Sequence, residues 1–176
     1  MTDIGLFLQV RQDLNDHVSG SCGARGGSAD LTSRGFDGSI SYTADRGYAK
    51  LNYIYADVEL DKETIGTTSY YLDRPMGHIF ALQATCDISD EWHIGGNAEI
   101  ALENKNTEIA LVGYEVFNAY TTYTPQSLDK LDVRLDVRNI FDETYVSRSS
   151  DGIDSVRVVP LNEQGRTIAL TASIKF

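Results

Sequence analysis

Between Leu131 and Ile140, apolar and charged residues alternate without a break: Leu131, Val133, Leu135 and Val137 in one phase, Asp132, Arg134, Asp136 and Arg138 in the other. Successive side chains of a strand point to opposite sides, so this period of two predicts a strand with one dry side and one wet side. The last stretch repeats the pattern. From about Arg166 to Phe176, the residues Ile168, Leu170, Ala172, Ile174 and Phe176 share a phase against Thr167, Thr171, Ser173 and Lys175. The chain stops on an aromatic residue inside that strand. The two stretches read as the closing strands of an outer-membrane β-barrel.

The rest of the chain fits that reading. Six earlier strands are predicted, at Asp3 to Asp13, Ser33 to Ala44, Tyr48 to Leu60, His78 to Ile88, Trp92 to Glu103 and Val112 to Thr124. The last of these is hard to phase, because Val116 and Phe117 fall on opposite sides. Eight strands of roughly ten residues suit a tilted bilayer crossing. Short connections fall near Asp45, Asp90 and Gln126, and long ones at Asn15–Thr32, Asp61–Gly77, Asn104–Leu111 and Asp142–Gln164. That alternation is the pattern of short periplasmic turns and long extracellular loops, with both chain ends on the periplasmic side. The expected architecture is therefore all-β: an antiparallel transmembrane β-barrel segment spanning residues 1–176 as one unit.

Composition narrows the partners. A formal net charge of −11 argues against nucleic acid, which requires clustered Lys and Arg. No run of apolar residues reaches the eighteen or so that a transmembrane helix needs. Met1 to Leu6 lacks the basic segment and apolar core of a leader, so an exported protein of this sequence is expected to be a fragment or to have lost its leader. Cys22 and Cys86 have no metal-type spacing.

Alternation alone does not say which side faces inward, since a soluble barrel turns its apolar side in and a membrane barrel turns it out. Three further features favour the membrane arrangement. The apolar phases of the fifth, seventh and eighth strands are free of charge between their ends, as lipid contact requires when a mid-membrane Lys or Arg costs about 2–4 kcal/mol. Trp92, Tyr48, Tyr123, Tyr114 and Phe176 lie near strand ends, as interfacial aromatics do. The apolar phases are also rich in Gly and Ala, which would pack a poor core. Lumen-facing candidates are then Asp132, Arg134, Asp136, Arg138, Asn97 and Glu99.

Asn139-Ile140-Phe141-Asp142-Glu143-Thr144-Tyr145 resembles the Asn-(Leu/Val/Ile)-Phe-Asp-x-x-Tyr segment of TonB-dependent outer-membrane receptors. Gly165-Arg166-Thr167, leading into a strand that ends at Phe176, is similar to their closing segment. Ser33-Arg34-Gly35-Phe36-Asp37 and Asn52-Tyr53-Ile54-Tyr55-Ala56-Asp57 resemble earlier strands of the same family, in the same order. The resemblance covers essentially the whole chain and corresponds to the carboxyl-terminal third of such receptors. It implies a larger barrel with a plugged lumen, energy-coupled import of iron chelates (siderophores or haem) or similar ligands, and recognition of Phe176 by the barrel-assembly machinery. It implies outer-membrane lipid as the surroundings. No plug domain and no coupling box are present in these residues, so coupling through TonB would run through the plug. Eight strands closing on themselves as a structural outer-membrane barrel is the alternative, and a soluble β-barrel binding protein a weaker one.

Other residues point to little chemistry. The Asp/Arg row reads as an ion-pair network keeping a polar interior satisfied, more than as a ligand path. His17, His78 and His93 are too scattered for a haem or metal set, and Asp151 and Asp154 lack a twelve-residue calcium loop. Ser147, Ser149 and Ser150 precede Asp151, but no His follows them to complete a hydrolase triad. No cofactor, metal or enzymatic activity is expected. Asp142 and Glu143 are expected to fix the exit from strand to loop.

Overall fold

The computed structural model describes residues 3–20, 27–60, 63–64, 77–105, 112–128, 130–148, 151–153 and 158–175. They form one antiparallel meander. Its strands are β1 (Asp3–Gly20), β2 (Gly27–Ala44), β3 (Gly47–Leu60), β4 (Glu63–Thr64), β5 (Gly77–Asp87), β6 (Trp92–Ala101), β7 (Tyr114–Tyr123), β8 (Leu131–Arg138), β9 (Asp151–Ile153), β10 (Val158–Pro160) and β11 (Thr167–Ile174). The sheet order is β1-β2-β3-β5-β6-β7-β8-β11; β4 pairs with the end of β3, and β9 and β10 form a separate hairpin. Every neighbour in the path is antiparallel. Among the described residues β1 and β11 are the ends of the path and do not pair with each other, so the sheet is open rather than a self-closed eight-stranded barrel.

Register carries one phase of each strand across the whole sheet, because paired residues lie on the same side. Leu6 pairs with Ile40, Ile40 with Leu51, Leu51 with Leu82 and Leu82 with Ala98. Ala98 pairs with Phe117, and two rows on, Thr121 pairs with Leu135 and Leu135 with Leu170. The apolar phases of all eight strands thus share one side. Within the strand segments whose side chains are described, the charges on that side are Arg34, Asp57 and Glu115, all near the long-loop end. Its large side chains are exposed: Leu82 at 47%, Ile168 at 67% and Leu170 at 73%.

The structure departs from the sequence reading in three places. Residues expected to form the Asn15–Thr32 loop largely continue β1 and β2, which pair up to Gly20 and Gly27 after a register shift between Arg11 and Leu14. Backbone pairing needs no apolar alternation, so the sequence signal faded while the strand went on. The Val112–Thr124 stretch has a definite phase, with Phe117, Ala119, Thr121 and Tyr123 on the apolar side. Tyr114 and Val116 face the polar side yet are 4% and 5% exposed, because a later segment covers them. Tyr48 and Tyr114 also lie on the polar side, paired with Thr43 and Ala101 respectively, so neither joins an apolar girdle.

Aromatics do gather on the apolar side at both ends. Trp92 and Tyr123, beside the short turns, have ring centroids 4.7 Å apart. Toward the long loops Tyr53 lies 5.6 Å from Phe36 and 4.9 Å from Phe80, and Phe141 meets Phe117 edge-on at 5.4 Å. Phe176 and Cys22 lie outside the described residues; Cys86 is a free, exposed thiol.

Candidate functional site: the polar side of the sheet

The six candidate residues all lie on the polar side. They do not form one network. Arg134 donates to both carboxylate oxygens of Asp136, at 2.8 and 2.7 Å, and its guanidinium lies 3.7 Å from the centroid of the Tyr120 ring. Tyr120 in turn lies flat over Gly95, where a β-carbon would sit 2.5 Å from the ring. Only glycine leaves that seat open, so Gly95, Tyr120 and Arg134 form a stack that orients the guanidinium toward Asp136. Asp132 turns away from its Arg neighbours, accepting from Thr124 Oγ1 at 2.7 Å and pairing with Lys175 at 3.1 Å. Asn118 donates to Asn97 Oδ1 at 2.6 Å. Glu99 accepts from the Tyr114 hydroxyl. Arg138 makes no hydrogen bond or ion pair within 4 Å among the described contacts, although its charge acts on Asp136 from farther off.

At the short-turn end, Thr85, Asp87, His93, Tyr120, Arg134 and Lys175 help line an open depression of roughly 710 Å³. His93 Nδ1 lies 2.6 Å from Asp87. His78 is on the apolar side, with Nδ1 2.7 Å from the Tyr53 hydroxyl. Neither histidine belongs to a group of three or more metal-ligating side chains among the described residues.

At the long-loop end the segment Asn139–Tyr145 forms a clasp. Asn139 is 3% exposed and sits at φ 50°, and Asp142 at φ 59°, a left-handed backbone that Asn and Asp tolerate better than most residues. Asn139 Nδ2 donates to the carbonyls of Glu143 (2.8 Å) and Gln164 (3.2 Å), while its Oδ1 accepts from Glu143 N at 2.8 Å. Its own N–H donates to Asn118 Oδ1 at 2.8 Å. Asp142 Oδ1 accepts from Arg166 N at 2.7 Å, and a β-carbon on Gly165 would come within 2.8 Å of that same oxygen. One buried amide and one carboxylate therefore tie the end of β8 to the start of β11, as expected of Asp142. The principal clamp, however, is Asn139, and the Gln164 carbonyl it holds lies where the sequence showed only loop.

Beyond the clasp the chain runs across the polar side as a strap. Tyr145 lies tilted against Tyr114, ring centroids 4.8 Å apart, and packs on the cluster of Ile79, Ala101, Tyr114 and Val116. Arg148, 7% exposed, donates from Nη2 to the Leu102 carbonyl at 2.8 Å, and its N–H donates to the Tyr114 hydroxyl at 3.2 Å. Burial lowers the pKa of the Arg148 guanidinium, an effect opposed by Tyr114 and Glu99. Burial raises that of the Tyr145 phenol, helped by the Glu163 and Glu99 carboxylates. Tyr120, Arg148 and Lys175 were not singled out as candidates from sequence, and Tyr114 was expected only as an interfacial aromatic. The register of β7 against β6 puts Tyr114 and Tyr120 on the polar side, but nothing local in the sequence announces that phase or the strap.

Solved structures place this architecture. The ferric citrate transporter FecA matches with a TM-score of 0.66 and 20% identity over 99% of this chain and 29% of its own. The outer-membrane ferripyoverdine receptor of Pseudomonas aeruginosa gives 0.66 and 16%, over 99% and 25%. The FrpB iron transporter from Neisseria meningitidis gives 0.68 and 16%, over 99% and 29%. The fold is that of a stretch of the β-barrels of these proteins. The chain spans 25–29% of the length of these structures. No family model and no curated protein matches it. No helix among the described residues is long and apolar enough to cross a membrane, which says nothing of strands.

Proposed function

We propose that this chain is the carboxyl-terminal barrel segment of a TonB-dependent outer-membrane receptor that imports an iron chelate of the siderophore or haem class. The observation that carries the reading is the single apolar side shared by eight strands in continuous register, on a fold like that of the iron transporters above. In this reading Leu131, Val133, Leu135 and Val137 meet acyl chains, and Arg134 and Arg138 look into the enclosed space. The aromatics at both ends of the apolar side sit at the two membrane interfaces. The open edges of β1 and β11 support a segment of a larger barrel over a small self-closing one, because an unpaired strand edge in hydrocarbon costs several kcal/mol per group. Phe176 serves as the assembly signal, and energy coupling acts through a plug borne elsewhere in the receptor.

Two measurements test this. Leu135→Arg puts a cation on the proposed lipid side and should cost about 2–4 kcal/mol, abolishing membrane assembly, whereas Asp136→Leu on the opposite side should still assemble. The reverse ranking would turn the sheet inside out. Cells lacking the gene should lose radio-iron uptake from one ferric chelate under iron limitation; unchanged uptake from every chelate offered would remove the importer assignment.

A further inference from the structure

Arg134 has a choice of two carboxylates. Asp132 and Asp136 each lie two residues from it on the polar side of β8, so the geometry of the strand favours neither. The charges are nonetheless sorted. Arg134 spends Nε and Nη2 on Asp136. Asp132 keeps both oxygens for other partners, Oδ1 for Thr124 and Oδ2 for Lys175. The asymmetry comes from the neighbouring strands. Tyr120 is the cross-strand partner of Asp136, and its ring, 3.7 Å from the guanidinium, draws Arg134 toward that carboxylate. The ring lies there because its other partner in the row is Gly95, whose missing β-carbon is the space it fills. Lys175 stands at the end of β11, which has a neighbour on one side only among the described residues. Its N–H donates to Lys130 O at 2.9 Å, and its side chain reaches Asp132 at 3.1 Å. Thr124, just after β7, holds the same carboxylate, so Asp132 ties three segments together. His93, the nearby imidazole on β6, is engaged by Asp87.

We propose that Gly95 and Tyr120 are positioning residues for the last strand: by holding Arg134 on Asp136 they reserve Asp132 for Lys175, and so fasten the turn-proximal end of β11. The device is a relay across four adjacent strands, β6 to β7 to β8 to β11. It has a second state. With Tyr120 displaced or absent, Arg134 reaches Asp132 as readily as Asp136. A guanidinium bonds both oxygens of a carboxylate at once and displaces an ammonium that holds one. Lys175 is then released, and the end of β11 keeps only its backbone bonds to β8. An end strand frays from such a point, because nothing on its far edge holds it. These pairings are the same whichever side of the sheet meets lipid, so a failure of the importer reading leaves the relay standing.

Amide hydrogen exchange of the intact polypeptide in outer-membrane vesicles reads the relay, in the peptide that carries Leu170 to Lys175. Lys175→Met should speed exchange there about threefold, the effect of losing one ion pair near the surface. Gly95→Ala and Tyr120→Leu, on strands two and one removed from β8, should each match it. The deciding variants delete the competitor. Arg134→Gln added to Gly95→Ala, or to Tyr120→Leu, should restore the parent rate, and Arg134→Gln alone should leave that rate unchanged. Tyr120→Phe keeps the ring and should keep the slow rate. Disturbed packing, by contrast, is not cured by removing one more charge. Unchanged heat-modifiable gel mobility verifies assembly in each variant, and Tyr120→Leu, which introduces no clash, carries the test if Gly95→Ala does not assemble. Exchange unchanged in Tyr120→Leu, or fast exchange that Arg134→Gln fails to reverse, overturns the inference.

Discussion

The two ends of the sheet are finished in different ways. At the short-turn end the ladder nearly closes itself. Asp87 N donates to Arg46 O at 2.8 Å, Thr124 N to Glu91 O at 2.9 Å and Lys175 N to Lys130 O at 2.9 Å, so neighbouring turns are stitched backbone to backbone. Side chains add mostly exposed contacts there, such as Arg46 with Asp90 at 3.1 Å, beside the half-buried Thr124–Asp132 hydrogen bond. At the long-loop end, between β8 and β11, the backbone has no such short route. A buried asparagine and a carboxylate, both on left-handed backbone, replace the missing ladder bonds. A turn that is short is held by geometry common to many sequences, whereas a long exit needs particular residues at particular positions.

Removing those residues should hurt far more at the clasped end. Asn139→Ala deletes three hydrogen bonds at a site 3% exposed and should destabilise the inserted protein by about 2–4 kcal/mol in urea unfolding. A loss below ~0.5 kcal/mol would mean that water replaces the amide and the clasp is ornamental. Gly165→Ala comes next, at about 1–2 kcal/mol, because its new carbon displaces the Asp142 oxygen that caps Arg166. In an Asp142→Ala background the same substitution should be nearly silent, and additive losses in that double-mutant cycle would contradict the shared cause.

The strap supplies a smaller, pH-dependent contribution. Tyr145 is stabilised as the neutral phenol, with its pKa raised by burial first and by Glu163 and Glu99 after it. Its contribution should be complete below the ordinary tyrosine range and fall away as pH rises through the raised value. Tyrosinate absorbance of the parent minus that of Tyr145→Phe should show a component ionising later than free tyrosine; earlier ionisation would place the ring in water. Smallest of all, Arg46→Ala should change stability by less than about 0.5 kcal/mol and be insensitive to salt beyond that. A larger loss would erase the contrast between the two ends.

This contrast also explains what could be read in advance. The alternation at Leu131–Arg138 and Ile168–Ile174 fixes faces because a one-residue slip would carry every charge across the sheet. Short turns at Asp45, Asp90 and Gln126 were legible for the same reason, as interruptions of a strict period. The phase of β7 was hidden because Tyr114 and Val116 take their burial from the strap, about thirty residues later, and local pattern contains no such contact. Among the candidate polar residues the side was legible and the partners were not. Asp132 pairs with Lys175, a diagonal neighbour at the end of β11, while Arg134 is taken by Asp136 two residues along its own strand. Asn139 belonged to a recognisable segment, yet its role depends on Gln164, which looked like featureless loop.

The raw margins of β1 and β11 bear on how such a chain reaches its final place. If the sheet is a membrane segment as proposed, a ladder rung left open in oil is too costly to persist, so it could not slip into a bilayer a hairpin at a time and wait. Both margins would then have to be paired at the moment of insertion, which would make entry a concerted act and give a chaperone that caps a strand edge a physical task to perform.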